Sequence, residues 1–228
     1  FAKLPSKTLT SLLKPENRQE LRRVLLFHVV SGRVDASKAR KLDSAKTLAG
    51  PRLALSPRGD SGLKVGRAKV VSADIGANNG IIHVIDRVLL PPDLDLVETA
   101  SKAGKFRTLL AAAEAAGLVE ELTGQGPLTL LAPTDSAFDK LPKGTVSTLL
   151  EPENRQTLRL VLSNHILHGR VYANEAIKAG TAKSAAHRKL RFGIDDGRLT
   201  VDGARVIRTD IDATNGVVHV IDRVLVPE

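Results

Sequence analysis

The sequence predicts an α+β protein that contains two copies of one structural unit. A run of nineteen residues at 73–91 (ADIGANNGIIHVIDRVLLP) returns at 209–227 (TDIDATNGVVHVIDRVLVP) with 13 identical positions. Upstream of each run, apolar residues recur at helical spacing, whereas the run itself has the strand-like alternation that flanks glycine turns. Helices followed by antiparallel strands in this order are typical of the α+β class.

The repeat extends further upstream, and its limits predict the domain boundaries. Residues 1–34 agree with residues 138–171 at 20 of 34 positions, and a repeat of this length indicates a copied structural unit. Residues 93–137 have no counterpart in the first copy. We therefore expect two tandem domains: an N-terminally incomplete one at 1–92 and a complete one at 93–228.

The front half of the complete copy is predicted to be mainly helical. Apolar residues at helical spacing predict helices over 93–122, and the apolar run LTLLAP at 128–133 predicts a short buried strand. Thr134 is expected to be the N-cap of the next helical turn, with Asp135 at the positive end of that turn.

A further helix and then strands are predicted downstream. Residues 151–167 predict an amphipathic helix with His165 on its apolar face. From Gly169 onward strands are expected: a short one at 169–173, a hairpin at 189–203, and two strands around the Asn-Gly turn at 215–216.

Composition and charge exclude several classes of protein. Hydrophobic residues make up 42%, which indicates a globular chain, and the absence of cysteine excludes disulfides and thiolate metal sites. Residues 1–92 hold 17 Lys+Arg against 7 Asp+Glu, whereas residues 93–228 hold 17 against 18. A basic first copy suggests an acidic partner such as an acidic polysaccharide, or simply a solvated basic surface. Aromatic residues are only 3%, which argues against single-stranded nucleic acid.

Two motifs resemble the signature stretches of the fasciclin-like domain family. They are TLLAPTDSAF at 129–138 and NGVVHVIDRVLVP at 215–227. The resemblance covers all of 93–228, and 1–92 resembles the family from just after its first signature. It implies a wedge of mostly antiparallel β-strands packed with helices. It also implies adhesion modules that are secreted, periplasmic or on the cell surface, often in tandem.

The resemblance also implies candidate adhesion residues. Asp74-Ile75 and Asp210-Ile211, each just before an Asn-Gly turn, match a position that contacts integrins in animal matrix members of the family. A carboxylate beside an apolar side chain could meet a receptor-bound cation and a pocket. The alternative is structural: Ile211 packs inward at the end of a strand, and Asp210 caps the turn.

A second candidate adhesion motif lies in the first copy. Arg58, Gly59 and Asp60 form an integrin-type tripeptide at a predicted hairpin tip, where exposed loops carry function. The same residues are ordinary turn formers, so chance is the simpler origin.

The histidines are predicted to be structural rather than catalytic. His28 and its counterpart His165 are expected to hydrogen-bond locally, because no second ligand stands at metal-binding spacing. His83 and His219 are expected on a strand face near solvent. No catalytic, cofactor-binding or metal-binding motif is present.

The sequence therefore predicts a non-enzymatic adhesion module without cofactors. Its expected partner is a cell-surface protein or an acidic polysaccharide. The alternative is a polyanion-binding surface protein in which the basic first copy dominates.

Overall fold

The computed structural model describes residues 1–58 and 62–227. Contacts between Cα atoms divide the chain into two compact units, residues 1–92 and residues 93–228. Each unit contains helices followed by a sheet, and the predicted α+β class is confirmed.

The first unit begins with helices and ends in an antiparallel sheet. A 3-10 turn (Pro15–Asn17) precedes the second helix. The helices are α1 (Ser6–Leu12), α2 (Arg18–Phe27) and α3 (Ala36–Ala39). The strands, in their order across the sheet, are β1 (Ser44–Lys46), β2 (Arg52–Arg58), β3 (Gly62–Val65), β4 (Ala68–Ala77) and β5 (Gly80–Ile85).

The second unit has a larger helical part and a wider sheet. Its helices are α4 (Leu96–Ala103), α5 (Arg107–Ala116), α6 (Val119–Thr123), α7 (Asp135–Phe138), α8 (Thr145–Leu150), α9 (Arg155–Ser163) and α10 (Ala173–Ala179), with a 3-10 turn at Pro152–Asn154. Its strands are β6 (Leu128–Pro133), β7 (Ile166–His168), β8 (Thr181–Lys183), β9 (Lys189–Asp195), β10 (Arg198–Val201), β11 (Ala204–Ala213) and β12 (Gly216–Ile221).

The two sheets share one topology and differ in what covers the last strand. The order β8-β9-β10-β11-β12 repeats the order β1-β2-β3-β4-β5. In the second unit, β6 then pairs with β12 in parallel, and β7 pairs with β6 on its other side. Across the described residues of the first unit, β5 pairs with β4 alone, so its second edge is open.

The open edge changes the burial of equivalent side chains. Val218 and Val220 of β12 are 1% and 8% exposed, because β6 and the helices α4, α5 and α9 cover that face of the sheet. The equivalent residues of β5, Ile82 and Val84, are 53% and 41% exposed. The same strand is thus a core element in one unit and a surface element in the other.

Two stretches of the second unit differ from the prediction. Ile166 and Leu167, expected at the end of the helix predicted over 151–167, lie in β7. Strands were expected directly after Gly169, but residues 173–179 form the helix α10. Ala and Glu are good helix formers, and Gly180 ends the helix with positive φ. The first helical amide, that of Ala173, is capped by the carboxylate of Asp210, which lies 37 residues further along the chain. The prediction was wrong here because it followed the β-branched and aromatic residues Val171 and Tyr172.

Candidate functional site

The two Asp-Ile pairs lie at the same irregularity in the two sheets. In β11, Arg208 and Ile211 are three positions apart while their partners in β12 are two positions apart, which places a β-bulge around Asp210. The equivalent bulge in β4 contains Asp74. Both aspartates have positive φ, +58° and +61°. Bulges re-aim side chains, and Asp is among the few residues that tolerate this backbone region.

Each aspartate anchors a short helix through one carboxylate oxygen. Asp210 Oδ1 accepts a hydrogen bond of 2.9 Å from the amide of Ala173, the first residue of α10. Asp74 Oδ1 accepts one of 2.8 Å from the amide of Ala36, the first residue of α3. The alternative in which Asp210 caps the Asn-Gly turn is therefore wrong: it caps a helix. Within the described residues, the second oxygen of each carboxylate makes no hydrogen bond.

The apolar partners of the two pairs differ in exposure. Ile75 is 43% exposed on β4. Ile211 is half-buried and packs against the core beneath the sheet of the second unit. A partner that needs both the carboxylate and the isoleucine would therefore find them more accessible in the first unit.

Arg170 holds the turn that follows Asp210-Ile211. Its side chain is 9% exposed, and it forms a 3.2 Å ion pair with Asp212. It also donates to the carbonyls of Ala213 and Thr214 at 2.9 Å, and to that of Gly216. In the first unit the equivalent Arg33 is exposed. In the first unit, Gly76 takes the place of Asp212, so the equivalent arginine has no carboxylate at this position and the turn lacks the ion pair.

His165 connects the end of α9 to the C-terminal segment. Its Nδ1 lies 2.8 Å from the carbonyl of Val161, and its Nε2 accepts a 2.8 Å hydrogen bond from the amide of Leu225. An amide can only donate, so Nε2 carries no proton and Nδ1–H is the donor to Val161. Burial lowers the pKa of His165 to about 4. The ring is thus a neutral structural connector.

The equivalent His28 makes the same two bonds in a different environment. Its Nδ1 lies 2.8 Å from the carbonyl of Val24, and its Nε2 accepts from the amide of Leu89 at 3.0 Å. The side chain is exposed, however, whereas His165 is buried. The two histidine bonds are therefore a feature of both copies of the repeat, and they also form in the first unit, where the histidine is exposed.

His219 lies next to Asp210-Ile211. It is buried, and the expectation that it lies on a strand face near solvent was therefore wrong. Its Nε2–H donates to the carbonyl of Val171 at 2.7 Å, and its Nδ1 accepts from the amide of Asp210 at 3.3 Å. Burial lowers the pKa of this imidazole. His83 makes the equivalent bond of 2.8 Å to Val34 and is half-buried. The bond to the aspartate amide is absent from the first unit, where Nδ1 of His83 has no hydrogen-bond partner among the described residues.

The comparison with known proteins identifies the repeated unit. The Fasciclin domain family matches residues 1–91 and 104–227, which is nearly the whole chain. The chain belongs to the fasciclin domain family. Each of its two units contains one match, in agreement with the internal repeat.

Relatives of this fasciclin pair occur in bacteria and animals. Protein sll1483 of Synechocystis is 42% identical over 144 residues, which cover 63% of this chain and 79% of that protein. Transforming growth factor-beta-induced protein ig-h3 of Sus scrofa is 36% identical over 234 residues, which cover the whole chain but only 33% of that protein. Human periostin is 32% identical over 166 residues, 71% of this chain and 19% of periostin. The chain therefore spans a third or less of the two animal relatives.

A solved structure has the same fold. It is a FAS1 domain pair from the insect cell adhesion molecule fasciclin I. The TM-score is 0.57 at 19% sequence identity, and the match covers 98% of this chain and 85% of that one.

The first fasciclin signature of the second unit contains two residues that lie at their predicted positions at the start of α7 but bond to groups outside its helical amides. Thr134 occupies the N-cap position of α7, but its hydroxyl bonds to the Ser136 hydroxyl at 2.9 Å instead of a helix amide. Asp135 accepts a 2.8 Å hydrogen bond from the amide of Thr108, which lowers its pKa. Its carboxylate therefore caps α5 and not its own helix, because α7 is a single turn packed beside the start of α5.

A buried polar side chain of the second unit with three hydrogen bonds was missed by sequence reasoning. Asn215 is 8% exposed; its Oδ1 accepts from the amide of Leu96 at 3.0 Å. Its Nδ2 donates to the carbonyls of Leu122 and Gly124 at 2.8 and 3.0 Å. The sequence presents Asn215 only as the first half of an Asn-Gly turn. The one indication in the sequence was that the first copy also has asparagine, Asn79, at the equivalent position.

The tripeptide candidate stays a prediction. Arg58 is the last residue of β2, and Gly59 and Asp60 lie outside the described residues. In the part of the chain that the structure describes, no group of three or more His, Asp or Glu is placed to hold a metal ion. No described helix is both long and apolar enough to cross a membrane.

Proposed function

We propose that this chain is an adhesion module that acts outside the cell, in the periplasm or on the cell surface, and binds a protein or a polysaccharide without catalysis. Family membership supports the proposal, as does a fold shared with a domain pair from an insect cell adhesion molecule. Two units on one chain raise the effective concentration of the second contact once the first has formed.

The observation that carries the proposal is the repeated geometry of Asp74-Ile75 and Asp210-Ile211. Both aspartates lie at a β-bulge with positive φ and bond a helix amide through one oxygen. The other oxygen is available to a partner, for example as a ligand of a receptor-bound cation. The side chain of Asp210 is 39% exposed, and Asp74 is exposed as well.

The structure determines which substitutions test this site. Alanine would remove the helix cap and would be strained at positive φ. Asparagine tolerates positive φ and keeps Oδ1 as an acceptor, so Asp74→Asn and Asp210→Asn remove only the charge. Asp196→Asn is the matched control, because Asp196 also has positive φ, +48°, and is exposed at a hairpin turn.

The experiment measures attachment of integrin-bearing cells to surfaces coated with the chain, with divalent cations and with a chelator. The double variant Asp74→Asn/Asp210→Asn is expected to lose the cation-dependent attachment, while Asp196→Asn keeps it. Attachment by the double variant equal to the parent would show that the Asp-Ile pairs are structural only. If Asp60→Ala alone abolishes attachment, the contact lies in the tripeptide Arg58, Gly59 and Asp60.

We also propose that the first unit is a fasciclin repeat without its N-terminal part in this chain. The support is the open edge of β5, whose counterpart β12 pairs with β6 over six residues. The exposure of Ile82 and Val84 supports the same proposal, because their counterparts in the second unit are buried in the core.

The second candidate function is polyanion binding by the basic first unit. The charge supports it: residues 1–92 hold 17 Lys+Arg and 7 Asp+Glu. Binding of this kind weakens steeply with salt, whereas adhesion through apolar contacts does not. Attachment that is unchanged between low and moderate ionic strength would exclude this alternative.

A further inference from the structure

A concave site in the second unit is lined by cations. It lies where the starts of β9 and β11 meet the C-terminal segment, and its volume is about 580 Å³. Arg188, Lys189, Arg191 and Arg223 line it, and Asp202 is the only carboxylate among its described lining residues. Among the described lining residues, four positive charges therefore stand against one negative charge.

Within the described part of the chain, the side chains of these four cations form no salt bridge or hydrogen bond, although the charge of Arg223 acts on the neighbouring Asp222. Salt bridges and side-chain hydrogen bonds involve other residues, and all four side chains are exposed. The carboxylate of Asp202 accepts a 2.8 Å hydrogen bond from the backbone amide of Arg191. Residues 93–228 hold 17 Lys+Arg and 18 Asp+Glu in all, so the second unit has almost no net charge. The excess of positive charge in this concavity is therefore local.

A buried hydrogen-bond chain fixes the floor of the concavity. Asn164 is 3% exposed, and its Nδ2 donates to the carbonyl of Leu225 at 3.1 Å. Its Oδ1 accepts from the hydroxyl of Ser184 at 3.0 Å. The Ser184 hydroxyl in turn accepts from the amide of Arg188 at 3.2 Å. The rim residue Arg188 and the C-terminal segment are thereby held together before any ligand arrives.

The first unit lacks this arrangement at equivalent positions. Phe27 stands in place of Asn164, Pro51 in place of Arg188, and Ala54 in place of Arg191. Arg87 stands in place of Arg223 but bonds to Asp86 at 3.2 Å. In the second unit, Asp222 bonds to Lys140 as Asp86 does to Lys3, whereas Arg223 lies beyond salt-bridge distance of Asp222 and acts on it through its charge alone. The concavity is therefore a property of the second unit and not of the repeat.

We propose that this concavity binds an acidic oligosaccharide through adjacent carboxylate or sulfate groups. Guanidinium groups donate paired, charge-assisted hydrogen bonds to such oxyanions, and three of the four cations are arginines. The volume lies in the range of small-ligand sites. No aromatic side chain lines the site, so it offers no surface for stacking nucleic-acid bases. The inference names a partner class for the proposed adhesion role and rests on it.

The test must separate this site from the basic first unit. Amide chemical shifts of the full chain are followed by NMR during titration with a short sulfated tetrasaccharide and, separately, with a tetragalacturonate. Saturable shifts are expected at Asn164, at 188–191 and at 223–226. A neutral tetrasaccharide is expected to leave these amides unchanged. Shifts with the sulfated sugar alone or the uronic acid alone would identify which anionic group is bound.

Matched variants decide whether the concavity or overall charge is responsible. Arg191→Ala/Arg223→Ala is expected to weaken binding at these amides about tenfold. Arg198→Ala/Arg208→Ala removes two exposed arginines outside the concavity. This variant is expected to leave binding at these amides unchanged. Equal losses in both double variants, or no saturable shift at all, would overturn the inference. Cell attachment measured on the same variants reports on the adhesion role separately.

Discussion

The imidazole of His165 accepts a hydrogen bond from the amide of Leu225, 60 residues later, at 2.8 Å. The first unit repeats the bond between His28 and Leu89 at 3.0 Å. In both units, the histidine at the end of a helix connects to the segment that follows the last strand. This connection explains why the HVIDRVL run and the upstream histidine recur together in the sequence.

Removal of the His165 side chain is expected to destabilise the second unit. His165→Ala leaves the carbonyl of Val161 and the amide of Leu225 unsatisfied in a buried site, at a cost of about 1–3 kcal/mol in the free energy of unfolding. Tyr172 is the single tyrosine and the chain has no tryptophan, so tyrosine fluorescence during urea unfolding reports on the second unit. His168→Ala, at an exposed site in the same unit, is the control. An unchanged midpoint for His165→Ala would contradict the structural role.

The same histidine should make the second unit sensitive to mild acid. Burial lowers the pKa of His165 from 6.5, the ordinary value of a histidine, to about 4, so between these limits the unfolded chain binds a proton that the folded unit does not. Stability is then full above pH 6.5 and falls as the pH drops towards 4. Between pH 7 and pH 4.5 the difference in unfolding free energy between the parent and His165→Ala should narrow by about 2 kcal/mol. A difference that is independent of pH would show that the folded ring titrates normally.

Asn215 is expected to be critical in the second unit, although its counterpart is not critical in the first. Asn215→Ala removes three buried hydrogen bonds to Leu96, Leu122 and Gly124, and we expect a loss of about 3 kcal/mol or more. Asn79 is exposed, and Asn79→Ala should change stability by no more than about 0.5 kcal/mol. Urea unfolding followed by circular dichroism compares the two variants. A similar decrease in the free energy of unfolding in both variants would mean that Asn79 has hydrogen-bond partners equivalent to those of Asn215.

The open edge of β5 should accept a strand with the chemistry of β6. In the second unit, residues 128–133 pair in parallel with residues 216–221, which correspond to 80–85. A peptide with the sequence of residues 126–138 is expected to slow hydrogen exchange of the β5 amides, measured by mass spectrometry. The same peptide with aspartate at the positions of Leu130 and Ala132 should not, because both side chains are buried in the native pairing. Equal protection by both peptides would indicate non-specific binding.

Local patterns in the sequence predicted the elements that depend on local properties. Helical periodicity located α4, α5 and α9, and the apolar run LTLLAP located β6. The hairpin turn at Asp196 and Gly197 followed from residues that favour positive φ. The resemblance to the fasciclin family then supplied the architecture.

The features that were missed depend on partners distant in the chain. The cap of α10 comes from Asp210, and the cap of α5 comes from Asp135. Asn215 bonds to residues about a hundred positions earlier. The cationic concavity likewise assembles from residues 188–191 and 223, which share no sequence pattern. Sequence spacing has no information on such contacts until the fold brings their partners together.

The exposed edge of β5 has a consequence for how adhesion is measured. An edge with free amides and carbonyls beside apolar side chains is a template for another edge of the same kind. Two copies of the chain that pair in this way carry twice as many Asp-Ile sites on one particle, and their attachment then rises with protein concentration through self-association. Light scattering at the assay concentration therefore belongs beside each attachment curve, so that the strength of one site is not confused with the number of sites on a dimer.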